Sequence, residues 1–407
     1  MRQGWRWFGP KDDVSLDAVR QTGATDVVSS LHEIPIGQAW TPKDVEQRRS
    51  QIESAPPGRS PLTWSVVESI PVPDAIKRTG RLANSEIEAW IASLEAVGKS
   101  GIKIVCYNFM PVVDWTRTDL NFVTPTGATT MRFDEHRFAA FDIHILRRGG
   151  ADTDYTDGQR SKALSTYRAM DQADIDELVG NIVRPLPGST TEPHTLDSFR
   201  DNLSQYKHVD ETRLRINLIE FLRKVIPVAE SLGVVLTLHP DDPPWPLFGL
   251  PRIASSAADY ARIFSAVPSI ANGMCLCVGS LGARSDNDLP AMARHFAPRI
   301  AFAHLRSTRR DDTGRSFIES SHLEGDADMI GVLAALHAES RRRPAGQSIV
   351  FRSDHGQRML DDLNKVGTPG YPAIGRLKGL AELRGALLAI ERLAAGGTVK
   401  QPEAALG

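Results

Sequence analysis

His239, Cys277, His304 and Asp354 are far apart in the chain, yet each closes a short apolar run of the kind that forms a buried parallel strand. The runs read Val-Val-Leu-Thr-Leu before His239, Met274-Cys275-Leu276-Cys277, Ala301-Phe302-Ala303-His304 and Val350-Phe351-Arg352-Ser353-Asp354. Two neutral imidazoles, a thiolate and a carboxylate suit a divalent transition ion and leave coordination positions open for a substrate. Thiolate and imidazole disfavour Mg²⁺ and Ca²⁺ and suit Zn²⁺, Fe²⁺ or, less strongly, Mn²⁺. Cys275 and Cys277 share a side of their strand by its period of two. Cys277 lies nearer the rim, so it is the preferred ligand and Cys275 is left to packing. Taken singly, each residue has a plainer role: a buried Cys, Cys106 included, ordinarily acts as a small hydrophobe, and a strand-end His ordinarily hydrogen-bonds its surroundings. Their joint placement on successive strands is what favours a metal site.

Other side chains could act on a substrate held there. His355 follows Asp354 directly, and a neutral imidazole beside bound substrate suits a general acid or base, because it titrates near neutrality; a hydrogen bond to its own loop is the alternative. Gly356 would permit close approach of a ligand. Arg306, two residues after His304, would clamp a carboxylate through two parallel hydrogen bonds or form a salt bridge. His322, within Ser321-His322-Leu323-Glu324-Gly325-Asp326, would bind hydroxyls, unless that stretch only caps the next helix through Asp326. Tyr371, between Gly370 and Pro372, is a second acid/base candidate or a packed loop aromatic. His32 and Glu33 end the second strand and are candidates to face the cavity. Asn108 directly follows the fourth strand and is a further substrate-binding candidate.

Eight strands must position these groups. They are expected at Gln3–Phe8, Asp26–Ser30, Thr63–Glu68, Ile102–Tyr107, Val234–His239, Met274–Val278, Ile300–Leu305 and Ser348–Ser353. Amphipathic helices alternate with them. Ile87, Trp90, Ile91, Leu94 and Val97 fall at helical spacing. So do Leu218, Ile219, Leu222, Val225, Ile226 and Ala229, with Pro227 as a kink and Gly233 as a stop. Further helices are marked by Tyr260–Val267, Met329–Leu336 and Leu380–Ile390. Eight such units predict an α/β fold, a closed (β/α)8 barrel, and no strand leads into a Gly-rich phosphate loop as an open dinucleotide-binding sheet would require. Chemistry in such barrels gathers at the C-terminal strand ends. One domain is expected over 1–395. Residues 108–210, polar with helical patches at Glu135–His144 and Ile175–Val183, read as a helical and loop insertion after strand four. Residues 396–407 read as a flexible tail.

Composition sets the class. The 407 residues are 41% hydrophobic and 24% charged, with a formal net charge of −2. That is ordinary for a globular protein and gives no global basic field for nucleic acid or an anionic membrane. A nuclease on such a barrel would need a basic groove. No run approaches the roughly 20 apolar residues that span a bilayer. Met1-Arg2-Gln3-Gly4-Trp5-Arg6-Trp7 has no signal-peptide core, which favours the cytoplasm. Three cysteines make no disulfide framework. A homo-oligomer, dimer or tetramer, is expected.

Longer motifs carry a resemblance. Arg6-Trp7-Phe8-Gly9, Ser30-Leu31-His32-Glu33-Ile34-Pro35, Tyr107-Asn108-Phe109-Met110-Pro111 and His239-Pro240-Asp241-Asp242-Pro243 resemble the D-mannonate dehydratase family. Ser321-His322-Leu323-Glu324-Gly325, Ser353-Asp354-His355-Gly356 and Gly370-Tyr371-Pro372-Ala373 do so too, and together they cover nearly the whole chain. The resemblance implies a xylose-isomerase-like barrel, dehydration of D-mannonate to 2-dehydro-3-deoxy-D-gluconate in glucuronate catabolism, and dependence on Mn²⁺ or Fe²⁺. It carries the family's metal ligands onto His239, Cys277, His304 and Asp354, and its catalytic residues onto His355 and Tyr371. A metal-dependent sugar isomerase or epimerase on the same fold is the alternative; it typically uses a carboxylate-rich site, and the thiol argues against it.

Overall fold

The computed structural model describes residues 1–183, 195–344 and 346–394. The expected tail at 396–407 lies outside the described residues, as does the stretch 184–194 of the segment after strand four. The strands, in chain order, are β1 (Arg2–Arg6), β2 (Asp26–Ser29), β3 (Thr63–Glu68), β4 (Ile104–Tyr107), β5 (Asp119–Val123) and β6 (Thr129–Phe133). They continue as β7 (Val235–Leu238), β8 (Asn272–Cys277), β9 (Ile300–His304), β10 (Ser307–Arg310), β11 (Phe317–Ser320) and β12 (Val350–Arg352).

Eight of them close a parallel barrel in the order β1-β2-β3-β4-β7-β8-β9-β12, with β12 pairing back onto β1. These are the eight runs expected from their apolar character, within a few residues at each end. The fold is therefore a (β/α)8 barrel. Side chains pointing inward fill its lower part: Val28, Val66, Ile104, Cys106, Cys275, Ala301, Phe302 and Val350 form one dry cluster. Cys106 and Cys275 serve as packing there, and burial pushes the Cys275 thiol well up.

The helices lean on the outside of this barrel. Glu211–Leu232 buries Leu214, Leu218, Phe221, Leu222, Val225, Ile226 and Ala229, a stripe at three- and four-residue spacing. Asp210 caps its start by accepting from the Arg213 amide, and Pro227 lies within it. Gly233 ends it at φ 62°, a left-handed conformation that suits glycine. The helix Asn84–Lys99 buries Ile87, Trp90, Leu94 and Val97 in the same way. No helix among the described residues is long and apolar enough to cross a membrane.

The segment after β4 contains more than helix and loop. β5 and β6 form a hairpin in it and join β10 and β11 in a four-stranded antiparallel sheet, ordered β10-β11-β6-β5. Phe317 pairs with Phe133 and Ile318 with Arg132. The sequence pattern misses these strands for a physical reason. Asp119–Val123 and Thr129–Phe133 are short and partly polar, and β6 finds its second partner almost two hundred residues further on. This sheet sits over the C-terminal mouth of the barrel, since β10 follows β9 directly and Gln357, beyond β12, donates to the Glu319 carbonyl at 3.4 Å.

The chain after β12 is pinned against the last helix, Ala373–Ala394. Gly356 therefore serves a different purpose from the one its position suggested. A Cβ there would lie 2.5 Å from the Arg376 amide nitrogen and the Gly375 carbonyl carbon, so it admits backbone, not ligand. Gly375 is tighter still, with its virtual Cβ 1.9 Å from the Gln357 carbonyl oxygen. Gly375→Ala must push this seam apart and should lower unfolding stability by about 1–3 kcal/mol or more. Urea denaturation reads this directly; an unchanged midpoint would mean that the seam can part freely.

Candidate active site

Parallel strands deliver their last side chains to one rim, and the structure brings the four strand-end residues to one place there. His239, just past β7, places Nε2 3.2 Å from Nδ1 of His304 at the end of β9. Cys277 ends β8, and its Sγ lies with those two nitrogens within 4.8 Å of one another. Asp354 follows β12 and sits at φ 64° in the left-handed region, which Asp tolerates better than most residues. That turn carries Oδ2 to 3.8 Å from His304 Nδ1 and 3.9 Å from Cys277 Sγ.

Hydrogen bonding on the far side of each ring fixes what it offers to the centre. Nδ1 of His239 lies 2.7 Å from the Pro240 carbonyl oxygen, which can only accept, so the ring proton sits there and Nε2 presents its lone pair. Nε2 of His304 lies 3.1 Å from Glu68 Oε1, which leaves Nδ1 to the centre. Two nitrogens on one ion at about 2.1 Å lie roughly 3.0–3.4 Å apart for bond angles between square and tetrahedral, and the observed separation falls in that interval. Cys277 Sγ accepts from the Ser280 amide at 3.5 Å and lies 3.0 Å from Ser280 Oγ, whose one hydrogen is shared between the sulfur and Asp242 Oδ2 at 2.9 Å. The donor set thus fits a divalent transition ion.

A small cavity of about 40 Å³ opens beside this cluster, and His239, His304, Asp354, His355, Tyr371 and Asn108 all line it. Nδ1 of His355 bonds Glu319 Oε2 at 2.9 Å, and Nε2 lies 3.8 Å from Asp354 Oδ1. The ring is sandwiched between Trp115, 5.1 Å away and tilted, and Tyr371, 5.0 Å away and edge-on. Burial pushes the Tyr371 phenol up to about 12, so it keeps its proton at neutral pH.

Three expected substrate contacts turn out differently. Arg306 lines the cavity, but each of its nitrogens already faces a protein carboxylate. Nε lies 2.6 Å from Asp354, Nη1 2.8 Å from Glu319, and Nη2 bonds Asp242. It holds the site together and is not a free clamp. His322 does not line the cavity: Nε2 is 2.6 Å from the Ser353 carbonyl oxygen, and the ring packs on the last helix at Gly379. It steadies the chain just before Asp354, and burial pushes its imidazole down. Glu33 lies beyond the end of β2 with its side chain 60% exposed, where it pairs with Arg48 at 2.8 Å. The chain has already turned outward by then.

The sequence pattern does not reveal the groups that surround the four strand-end residues. Glu68 ends β3 and takes two bonds from Arg352, at 2.8 and 3.1 Å, and an ion pair from Arg6 at 3.2 Å. Arg117, from the segment after β4, grips Asp242 at 2.8 and 3.2 Å and Glu319 at 2.6 and 3.1 Å. Arg352 closes onto Asp354. Burial alone would raise these carboxyls, but the arginines outweigh it. Arg306 and Arg117, with the hydrogen bond from His355, hold Glu319 down to about 2, and Arg352 and Arg306 hold Asp354 well below the usual range. Glu68, as a strand-end carboxylate, had the same positional signal as His304; Glu319 and Arg117 had none, because the second sheet places them.

Every charge in this group is buried and paired, so removing one member strands its partners. Arg306→Leu leaves Asp242, Glu319 and Asp354 under-compensated and should cost about 3–5 kcal/mol of unfolding free energy. Denaturant titration of the variant checks it, and a loss below 1 kcal/mol would show that the carboxylates do not depend on Arg306.

Known proteins resemble the chain over nearly its whole length. The family described as D-mannonate dehydratase matches residues 1–396. A mannonate dehydratase of Brucella melitensis biotype 2 is 63% identical over 394 residues, covering 97% of this chain and 98% of that protein. One from Chromohalobacter salexigens is 48% identical over 396 residues, covering 97% and 100%. The crystal structure of mannonate dehydratase from Streptococcus suis serotype 2 superposes with a TM-score of 0.74 at 29% identity, covering 100% of this chain and 99% of that one. The chain therefore belongs to the D-mannonate dehydratase family.

Proposed function

We propose that this hydro-lyase converts D-mannonate to 2-dehydro-3-deoxy-D-gluconate and water, with His239, Cys277, His304 and Asp354 holding one Mn²⁺ or Fe²⁺ ion and with His355 and Tyr371 moving the protons. The observation that carries the reading is the meeting of two imidazole nitrogens and a thiol within 4.8 Å of one another, at the edge of a cavity that His355 and Tyr371 also line. The mixture of nitrogen, sulfur and carboxylate donors supports a transition ion over Mg²⁺ or Ca²⁺. Such an ion, when bound, supplies Lewis acidity toward the oxygens of a hydroxy acid.

The reaction removes the proton on C2, beside the carboxylate, and expels the C3 hydroxyl. His355 is the base, because its Nε2 faces the cavity while Nδ1 is tied to Glu319. Tyr371 is the acid, because its raised phenol holds a proton to give. The C2–H electron pair becomes the C2=C3 bond, the C3–O bond breaks, and the departing hydroxide takes the Tyr371 proton and leaves as water. The enol then ketonises. Arg6 replaces Arg306 as the substrate-carboxylate donor in this reading: it lines the cavity, and its buried Nε has no hydrogen-bond partner among the described residues. A sugar isomerase on the same barrel is not favoured, since the family and the relatives are dehydratases and the donor set includes a thiol.

Incubation with D-mannonate and Mn²⁺ under reducing conditions should yield a 2-keto-3-deoxy acid; an isomerised or epimerised sugar acid as product would overturn the assignment. Cys277→Ser replaces a thiolate by a neutral hydroxyl. It should weaken metal retention by at least the roughly 10–100-fold that losing an outer partner costs, read by metal analysis after dialysis, and undiminished retention would remove Cys277 from the ligand set. His355→Asn should keep the metal and lower kcat by about 10²–10⁴-fold; steady-state kinetics that match the parent enzyme would exclude His355 from proton transfer.

A further inference from the structure

We infer that Glu319 is a positioning residue that fixes which nitrogen of His355 faces the substrate as a base, and that Arg117 and Arg306 fix Glu319 in turn. The inference rests on the reading of His355 as the proton-transfer group. Glu319 divides its two oxygens between two tasks. Oε1 receives Arg117 Nε at 3.1 Å, Arg117 Nη2 at 2.6 Å and Arg306 Nη1 at 2.8 Å. Oε2 is left to His355 Nδ1 at 2.9 Å. A carboxylate that already faces two guanidinium groups can only accept, so Nδ1 carries the ring hydrogen and Nε2 presents its lone pair to the cavity.

Neither oxygen can change its task. Arg117 is fully buried and its other nitrogen is committed to Asp242, while Arg306 is held by Asp242 and Asp354. The His355 ring is confined by Trp115 and Tyr371, so it cannot swing to a second orientation without displacing them. Glu319 itself is set by β11, whose Ser320 pairs with Ser307, and by Thr130 Oγ1, which donates to the Glu319 carbonyl at 2.8 Å. Thus the second sheet reaches the reacting centre through one carboxylate.

Glu319→Gln discriminates this role from a merely structural one. The two arginines demand an oxygen on their side, so the amide NH₂ must face His355 Nδ1. The ring proton then has to move to Nε2, and the base loses its lone pair toward the substrate. The expected result is a fall in kcat of about 10²–10⁴-fold, with KM and metal content held within a few-fold. ¹⁵N spectra of histidine-labelled protein, at a pH where the imidazole is neutral, should show His355 protonated on Nδ1 in the parent enzyme and on Nε2 in the variant. Should Glu319→Gln fail to fold, the parent spectrum alone still decides: an Nε2-protonated His355 overturns the inference. So does a variant that turns over normally. If His355→Asn is inactive while Glu319→Gln is fully active, only the positioning role falls; if His355→Asn is itself active, the reading of His355 as base falls with it.

Discussion

The site depends on a buried chain of alternating charge. Arg6 meets Glu68, Glu68 meets Arg352, Arg352 meets Asp354, Asp354 meets Arg306, and Arg306 and Arg117 share Asp242 and Glu319. Ions removed from water cost several kcal/mol each unless paired and hydrogen-bonded. No link can therefore be left open, and the geometry of one end constrains the other. Asp354 stays ionised because two arginines, Arg352 and Arg306, flank it. His304 and His355 are each held on a carboxylate of the chain, Glu68 and Glu319, at 3.1 and 2.9 Å.

Four arginines and four carboxylates balance one another, so the buried group carries no stranded net charge. The same arithmetic accounts for the second sheet. Without Arg117, Asp242 and Glu319 would share Arg306 alone, and Arg306 also faces Asp354. The segment after β4 completes the charge balance over the barrel mouth and brings Trp115 onto the His355 ring.

The barrel was legible because its strands are buried on both faces and therefore read as apolar runs with little ambiguity. The meeting of His239, Cys277, His304 and Asp354 was legible for a related reason: a closed parallel barrel sends all its strand ends to one rim. Local pattern could not show what a side chain does once it arrives. Arg306 stands where a clamp would stand, and only the positions of Asp242, Glu319 and Asp354 reveal that its nitrogens are taken. Glu33 lies four residues past the end of β2, which stops at Ser29, so it no longer points where a strand-end side chain would. Glu319 and Arg117 carry no sequence signal at all, since β11 and the segment after β4 meet only through pairing across almost two hundred residues.

Metal-loaded crystals, with diffraction measured at the absorption edge of the added ion, decide whether one cation binds among the four strand-end side chains. A single anomalous peak is expected within bonding distance of His239 Nε2, His304 Nδ1, Cys277 Sγ and an Asp354 carboxylate oxygen. A peak elsewhere, or one whose neighbours exclude the sulfur and both imidazoles, would contradict this coordination.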